Sequence, residues 1–473
     1  MLQGFCLMLP LGGCLLSGDK PDPGLDIPQA YERGPKNPAI AEAAVRSLDW
    51  WRGFHSKELT GLIEEARAAN LDIAAAVAQI VQADAQARVA GAPLLPTVAA
   101  NGSATHSRSS QSLGSGLSTG GPSERNDLTA SLSASYEIDF WGKNRAALRA
   151  AEENAVASRY NREVVGLTTV VATANAYFQV LAAQDRLRIA RENVASASRI
   201  LNLIRQQFSA GTASDLNIAQ QESLVNTQRA AIPPLVQSVQ QNQAALALLI
   251  ARPPERAIVR GGSMRNIAIP RVTPGLPSEL IAQRPDIRQA EANLAAADAN
   301  VYNARAQMLP SITLTGEGGY ESAVLKTLFR PESAFYTLTA GLTQPIFDGG
   351  RLQGNLDLQK GLQDQLLQNY RKAVISGFTD VDKALIAIRQ TELTERAQRD
   401  VVTSSRRAFD LSEQQLHAGT LNLITLLQTQ QTLFQAEDAL AQARLARLQA
   451  IVSLYQALGG GWLPKPVEAS NAR

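Results

Sequence analysis

The sequence lacks most of what metal, redox and hydrolytic chemistry require. Its two cysteines, Cys6 and Cys14, sit within the first few residues, and none follows in the rest of the 473-residue chain. Neither a disulfide framework nor a thiolate metal site is expected in the body of the protein. The three histidines, His55, His106 and His417, stand singly and far apart. No metal site and no cofactor are therefore expected. There is no phosphate-cradling G-x-x-x-x-G-K and no H-E-x-x-H pair for zinc. Gly116-Leu117-Ser118-Thr119-Gly120 fits the hydrolase pattern G-x-S-x-G on paper. It lies in a Ser/Gly-rich stretch without the strand and helix that strain a nucleophile elbow, so an enzyme is not expected. A charge excess is missing too: 45 Lys and Arg against 43 Asp and Glu leave a formal net charge of +2, which excludes the basic surface a nucleic-acid partner would need. Aromatics are 5% of the chain, while Ala, Leu and Gln recur over long stretches, a composition that suits extended helices better than one thick core.

Residues 1–13 are mostly apolar and end in Leu11-Gly12-Gly13 before Cys14, the form of a processed export segment. The run resembles the lipobox of bacterial lipoproteins, in which the cysteine carries acyl chains. Cys14 is accordingly the expected lipid attachment site, and Leu15 stands where an aspartate would signal retention at the inner membrane. Residues 14–55 are expected to form a tether and an equatorial segment. Pro21, Pro23, Pro28, Pro35 and Pro38 interrupt any regular structure there.

The chain then repeats itself at a period of roughly two hundred residues, too long for a solenoid. Asp72-Ile73 opens an Ala-rich helical stretch that ends at Leu95-Pro96-Thr97-Val98; Asp286-Ile287 opens another that ends at Leu309-Pro310-Ser311-Ile312. Phe140-Trp141-Gly142-Lys143 is matched by Phe347-Asp348-Gly349-Gly350-Arg351, and Phe208-Ser209-Ala210-Gly211-Thr212 by Leu416-His417-Ala418-Gly419-Thr420. Two equivalent halves are expected, 56–262 and 263–459, with a tail at 460–473.

Each half contains two segments of two-residue rhythm, expected as strands at about 97–106, 128–140, 311–320 and 335–347. The plainest alternates Leu128, Ala130, Leu132, Ala134, Tyr136, Ile138 and Phe140 with polar residues throughout. Their lengths suit tilted strands crossing a bilayer, although a soluble sandwich would alternate in the same way. The Ser/Gly-rich connector 107–127 fits an outward-facing loop. Tyr136, Phe140, Trp141, Tyr336 and Phe347 lie near strand ends, where an interfacial belt would place them.

Between Gly142 and Phe208 there is no proline, which predicts one helix on the order of 100 Å long. Val164, Leu167, Val171, Ala174, Phe178 and Leu181 lie on one stripe. Leu187, Ala190, Val194, Ala197, Leu201, Ile204 and Phe208 lie on a shifted one, as in a coiled-coil seam. Val402, Phe409 and Leu416, then Leu426, Leu433 and Leu440, repeat the heptad spacing. Gly211 and Gly419 stand where a left-handed residue lets a helix reverse. Returning helices are expected over about 214–250 and 423–458, with 57–92 and 278–307 completing a bundle.

Four strands cannot span a membrane alone, because open edges would leave backbone groups unpaired in hydrocarbon. Two, three or four copies would give about 8, 12 or 16 strands, and the arithmetic does not choose among them.

Trp50-Trp51-Arg52-Gly53-Phe54, Ala69-Asn70-Leu71-Asp72, Ala210-Gly211-Thr212-Ala213-Ser214-Asp215, Ile232-Pro233-Pro234-Leu235, Leu276-Pro277-Ser278-Glu279-Leu280 and Gln283-Arg284-Pro285-Asp286-Ile287-Arg288 resemble the outer-membrane factor lipoproteins of tripartite efflux systems, the TolC-like family, nodulation-protein T subgroup. The resemblance covers essentially the whole mature chain. It implies an α+β membrane protein, a homotrimer with a 12-stranded β-barrel and an α-helical coiled-coil barrel in the periplasm. It also implies partnership with a periplasmic adaptor docking at Gly211, Thr212, Gly419 and Thr420, and with a proton-driven inner-membrane transporter of the resistance-nodulation-division class. The aperture residues implied are Asp215, Gln428 and Gln431; the last two depart from the aspartate and arginine frequent in relatives. Two rival functions fit parts of the pattern: the exit duct of a type I protein secretion system, and a lipid-anchored coiled-coil structural protein.

Overall fold

The computed structural model describes residues 24, 49–108, 124–256, 259–270, 281, 283–460 and 462. Cys14, the export segment, most of the tether, the Gly116–Gly120 stretch, the Leu276–Leu280 motif and most of the C-terminal tail lie outside the described residues. The chain forms two compact units. Among the described residues, one draws on 79–158 and 290–370, the other on 49–78, 159–289 and 371–460. Each unit draws on both halves of the sequence.

The first unit holds a four-stranded sheet: β1 (Thr97–Arg108), β2 (Glu124–Ile138), β3 (Ser311–Ser322) and β4 (Ala334–Thr343). All neighbours are antiparallel, in the order β1-β2-β3-β4. The sequence rhythm located all four. β2 begins earlier than expected and stops at Ile138 instead of 140, and β4 stops at Thr343, well short of 347. Phe140 and Phe347 therefore follow their strands.

Register decides the chemistry of the two faces, because directly paired residues share a face. Val98 pairs with Ala134, Ala100 with Leu132, Tyr136 with Leu314, Ile312 with Leu342 and Gly316 with Leu338. All of these lie on one side. Asn101 with Ser131, Thr315 with Thr339 and Glu317 with Thr337 lie on the other. Gly319 faces Ser131 at a point where strands β2 and β3 leave no room for a Cβ.

Eight helices are found among the described residues. They are α1 (Lys57–Ala69), α2 (Leu71–Gly91), α3 (Lys143–Ser209), α4 (Asp215–Ala230), α5 (Ile232–Leu249), α6 (Pro285–Ala306), α7 (Arg351–His417) and α8 (Leu423–Ala457). α3 and α7 are each 67 residues long.

The helical stretch expected to open at Asp72-Ile73 begins at Leu71, as α2, and the returning helix expected over about 214–250 is interrupted. Between α1 and α2, Asn70 is buried; its Oδ1 accepts from the backbone N–H of Asp72 (2.9 Å) and Ile73 (3.1 Å), and its Nδ2 donates to the Leu249 carbonyl (2.9 Å). This is an N-cap that starts a new helix at once. The first returning helix divides at Ala231, just before Pro233-Pro234, which cannot donate to the preceding turn.

The second unit is built on a cluster in which Trp50, Trp51 and Phe54 pack with Phe178, Leu181, Leu246, Leu448 and Val452. Trp50 stacks on Tyr455 with ring centroids 4.6 Å apart. The 3-10 turn Trp50–Phe54 thus acts as a plug among helices rather than a surface segment.

The long-helix stripes are buried in part. Val171, Ala174, Phe178, Leu181, Ala190, Ala197, Leu201 and Ile204 are buried, but Phe208 is 46% exposed, and Ile189 and Ile200 are buried in place of Leu187 and Val194. A straight helix drifts about 20° per heptad relative to a 3.5-residue repeat, so over 67 residues the buried stripe wanders. In the second half Phe409, Leu416, Leu426 and Leu433 are buried, while Val402 and Leu440 are half-buried.

Candidate functional site

The two reversals anticipated at Gly211 and Gly419 are alike in their hydrogen bonds. At the first, Thr212 N–H donates to the Gln207 carbonyl (2.8 Å) and Gly211 N–H to that of Phe208 (2.9 Å). At the second, Thr420 N–H donates to Gln415 (2.9 Å) and Gly419 N–H to Leu416 (3.0 Å). Both are Schellman closures, with Gly211 at φ +75° and Gly419 at φ +71°. Thr212 Oγ1 also donates to the Gln207 carbonyl (3.0 Å), as Thr420 Oγ1 does to Gln415 (3.2 Å). Each chain then re-enters a helix through a capping side chain, Ser214 for α4 and Asn422 for α8. The glycines and threonines named from sequence therefore form two matched, exposed turns. Phe208, Leu216, Leu411 and Ile424, all nearby in sequence, are exposed apolar side chains.

The candidate aperture residues are exposed. Asp215 occupies the first turn of α4, where a carboxylate suits the N-terminal dipole, and it makes no ion pair among the described residues. Gln428 and Gln431 lie on α8; Gln428, with Ser404, Ser405, Ala408, Thr429 and Thr432, lines a cleft of about 320 Å³. Neither meets Asp215 in a hydrogen bond among the described residues. The buried glutamine of α8 is Gln430, bonded to the equally buried Gln221 of α4 (3.3 Å). Sequence inspection passed over both, although the signal was present: Gln430 falls on the Leu426 and Leu433 stripe, and Gln221 lies between Ile218 and Val225 at helical spacing.

A second polar cluster was also missed. Glu395 of α7 is 1% exposed and receives Arg399 (2.6 Å), Arg444 (2.9 Å) and Arg447 (2.9 Å). Arg444 further donates to the carbonyls of Met264 (2.8 Å) and Ile267 (3.1 Å). Burial pushes the Glu395 carboxyl up, but hydrogen bonds from Arg447 and Arg399 and the charge of Arg444 outweigh it and hold the group below its ordinary value. Asp185 nearby accepts from Ser263 Oγ and Met264 N–H, both at 2.9 Å, and from Arg188 at 3.1 Å. A cavity of about 270 Å³ adjoins these groups. Arg188, Arg399 and Arg444 are already committed to carboxylates, so the cluster joins α3, α7, α8 and residues 263–267 rather than offering free cations to a ligand.

On the sheet, the apolar face is uncovered: Val98 is 69% exposed, Tyr336 82%, Leu338 79% and Leu342 72%. The opposite face is lined by hydroxyls and charges, with Ser131 Oγ donating to Glu317 (2.6 Å) and Arg125 near Glu321 (3.4 Å) and Asp127 (3.7 Å). Where β2 leads into α3, Asp139 accepts from the N–H groups of Asn144 (3.0 Å) and Arg145 (2.9 Å), and Trp141 Nε1 donates to the Pro310 carbonyl (2.8 Å). An exposed apolar face backed by a polar one marks a surface for contact with another protein or a membrane.

Comparison with known proteins agrees with this arrangement. The profile of the family described as outer membrane efflux protein matches residues 62–252 and 276–460. The pyoverdine export outer membrane protein OpmQ of Pseudomonas putida is 41% identical over 461 residues, covering 96% of this chain and 97% of OpmQ. The cation efflux system protein CusC of Escherichia coli O6:H1 is 29% identical over 98% of both chains. Among solved structures, the open state of the Neisseria gonorrhoeae MtrE outer membrane channel superimposes with a TM-score of 0.82 at 29% identity, covering 94% of this chain and 98% of that one. The Campylobacter jejuni CmeC outer membrane channel gives 0.85 at 25% identity, covering 94% and 95%. With a two-faced sheet, twin helical reversals and matches that span nearly its whole length, the chain belongs to the outer membrane efflux protein family, whose members are TolC-like efflux channels of the outer membrane.

Proposed function

We propose that three copies of this chain close their sheets into a 12-stranded barrel, with the helices continuing as a periplasmic tube, and that the assembly is the passive exit duct of a tripartite pump. The observation that carries this reading is the sheet itself. Its apolar face is exposed along all four strands, and β1 and β4 each present an unpaired edge among the described residues. In hydrocarbon such edges are tolerated only when another strand covers them, and sister copies supply the matching strands. The polar face then lines a wet bore.

The two halves of the sequence act as equivalent modules within each subunit; the matching closures at Gly211 and Gly419 support this. Cys14 carries the acyl anchor. The exposed turns at Gly211, Thr212, Gly419 and Thr420 receive a periplasmic adaptor, which links the duct to an inner-membrane transporter of the resistance-nodulation-division class that supplies the energy. Asp215, Gln428 and Gln431 line the aperture. Relatives named for pyoverdine export, toluene efflux and cation efflux align along nearly the whole chain, so the cargo is chosen by the transporter and the duct passes what it is given.

The test is reconstitution of the purified full-length chain in a planar bilayer. Discrete conductance steps from an oligomer that needs detergent for extraction are expected. A monomer that stays in water without detergent once the acylated cysteine is removed overturns the proposal.

A further inference from the structure

Gln221 and Gln430 are both wholly buried, at 0% exposure. On α4, Gln221 is flanked by Ile218 and Val225; on α8, Gln430 is flanked by Leu426 and Phe434. On each helix, then, an amide stands where spacing of three and four residues calls for an apolar side chain. Gln221 Nε2 donates to the Ala197 carbonyl of α3 (2.9 Å) and to Gln430 Oε1 (3.3 Å). Gln221 Oε1 and Gln430 Nε2 are buried with no hydrogen-bond partner among the described residues.

A donor and an acceptor held in this way give up hydration on packing and regain nothing. Drawing α8 away from α4 returns water to both. The apolar layers beside the pair behave in the opposite sense: Ile200, Ile204, Leu426 and Leu433 on one side, and Leu201, Val225 and Phe434 on the other, lose burial when the helices part. The amide pair is the place in this seam where separation meets least resistance.

We propose that Gln221 and Gln430 are the release contact between α4 and α8: two positioning residues that keep the packed arrangement marginal, so that the end of the duct can open. The inference rests on the duct reading above and assigns its control to residues other than those lining the aperture.

The test compares the wild-type full-length chain with Gln221→Met and with the double variant Gln221→Met, Gln430→Met, methionine being close to glutamine in volume. Two properties are read, the open fraction of pores in planar bilayers and the temperature of helix unfolding. Gln221→Met strips Gln430 of its partner and loosens the seam, so the open fraction rises roughly fivefold and unfolding comes earlier. The double variant has no buried amide to hydrate, so its open fraction falls roughly fivefold below wild type and unfolding comes later. Opposite signs are the signature, since a pair that merely held the fold together would move both variants the same way. The proposal is overturned by shifts of one sign, by no shift, or by earlier unfolding or failure to fold in the double variant. If no form makes pores, wild type included, the duct reading fails, and the order of the unfolding temperatures still decides the amide pair.

Discussion

Glu395 and Arg444 lie 2.9 Å apart, joining α7 to α8, with the carboxylate side chain 1% exposed and the guanidinium 14%. Arg447 and Arg399 complete a cationic collar around the same carboxylate. Removing one partner from a buried pair leaves the others uncompensated. Glu395→Gln is therefore expected to lower stability by about 3–5 kcal/mol, read as the midpoint of denaturant unfolding followed by helical circular dichroism in detergent. A midpoint equal to wild type would show that the arginines find other partners.

The same collar fixes the direction of a pH effect. The arginines hold the folded-state pKa of Glu395 below its ordinary value of 4.5. Its contribution is thus fully present above about that pH and is lost as pH falls through the lower, folded-state value. Wild type should lose stability on acidification below roughly 4.5 more steeply than Glu395→Gln does, with the two curves parallel at neutral pH. Thermal midpoints measured between neutral and acidic pH give the comparison.

At the reversals, Gly211 and Gly419 have positive φ, and a Cβ added to either meets nothing within 4 Å. Only backbone strain opposes substitution there. Gly211→Ala and Gly419→Ala should each lose about 1–2 kcal/mol, and the corresponding Gly→Asn changes distinctly less. Equilibrium unfolding of the four variants distinguishes strain from loss of packing.

Leu338 and Thr337 are neighbours in β4 with opposite fates. Leu338→Arg places a charge on the uncovered apolar face and should lower stability in lipid vesicles by about 2–4 kcal/mol, while Thr337→Arg, on the polar face, should be nearly neutral. Equal losses from both would contradict the assignment of the two faces to lipid and water.

Asn70 closes α1 and opens α2, and its side chain also holds the Leu249 carbonyl. Asn70→Ala should reduce stability by about 0.5–2 kcal/mol, measurable as an earlier thermal transition.

How far the sequence could be read depended on which physical rule each element obeys. Strand faces follow from a period of two, which admits no drift, so Leu128 through Ile138 announce their side of the sheet without reference to anything else. The reversals follow from one backbone requirement at Gly211 and one at Gly419. The start of α2 was legible at Asp72-Ile73, next to its Asn70 cap; the break at Ala231 was written locally too, in a proline pair, but apolar periodicity on either side of it masked the signal. Interior polar groups were harder. Gln221, Gln430 and Glu395 are polar residues on stripes whose burial depends on how a wandering helix is turned at that height, and composition alone assigns such residues to the surface. Phe208 shows the converse: it continues a buried stripe in sequence, yet it is 46% exposed, while Leu416 at the matching place before Gly419 is buried.

The twin reversals carry one more implication. Each is closed by main-chain atoms and shaped by a single glycine, with the threonine hydroxyl adding only a bond to a carbonyl already engaged. The surrounding side chains at positions 208, 210, 216, 418 and 424 take no part in making the turn, so they are free to diverge while the bend stays intact.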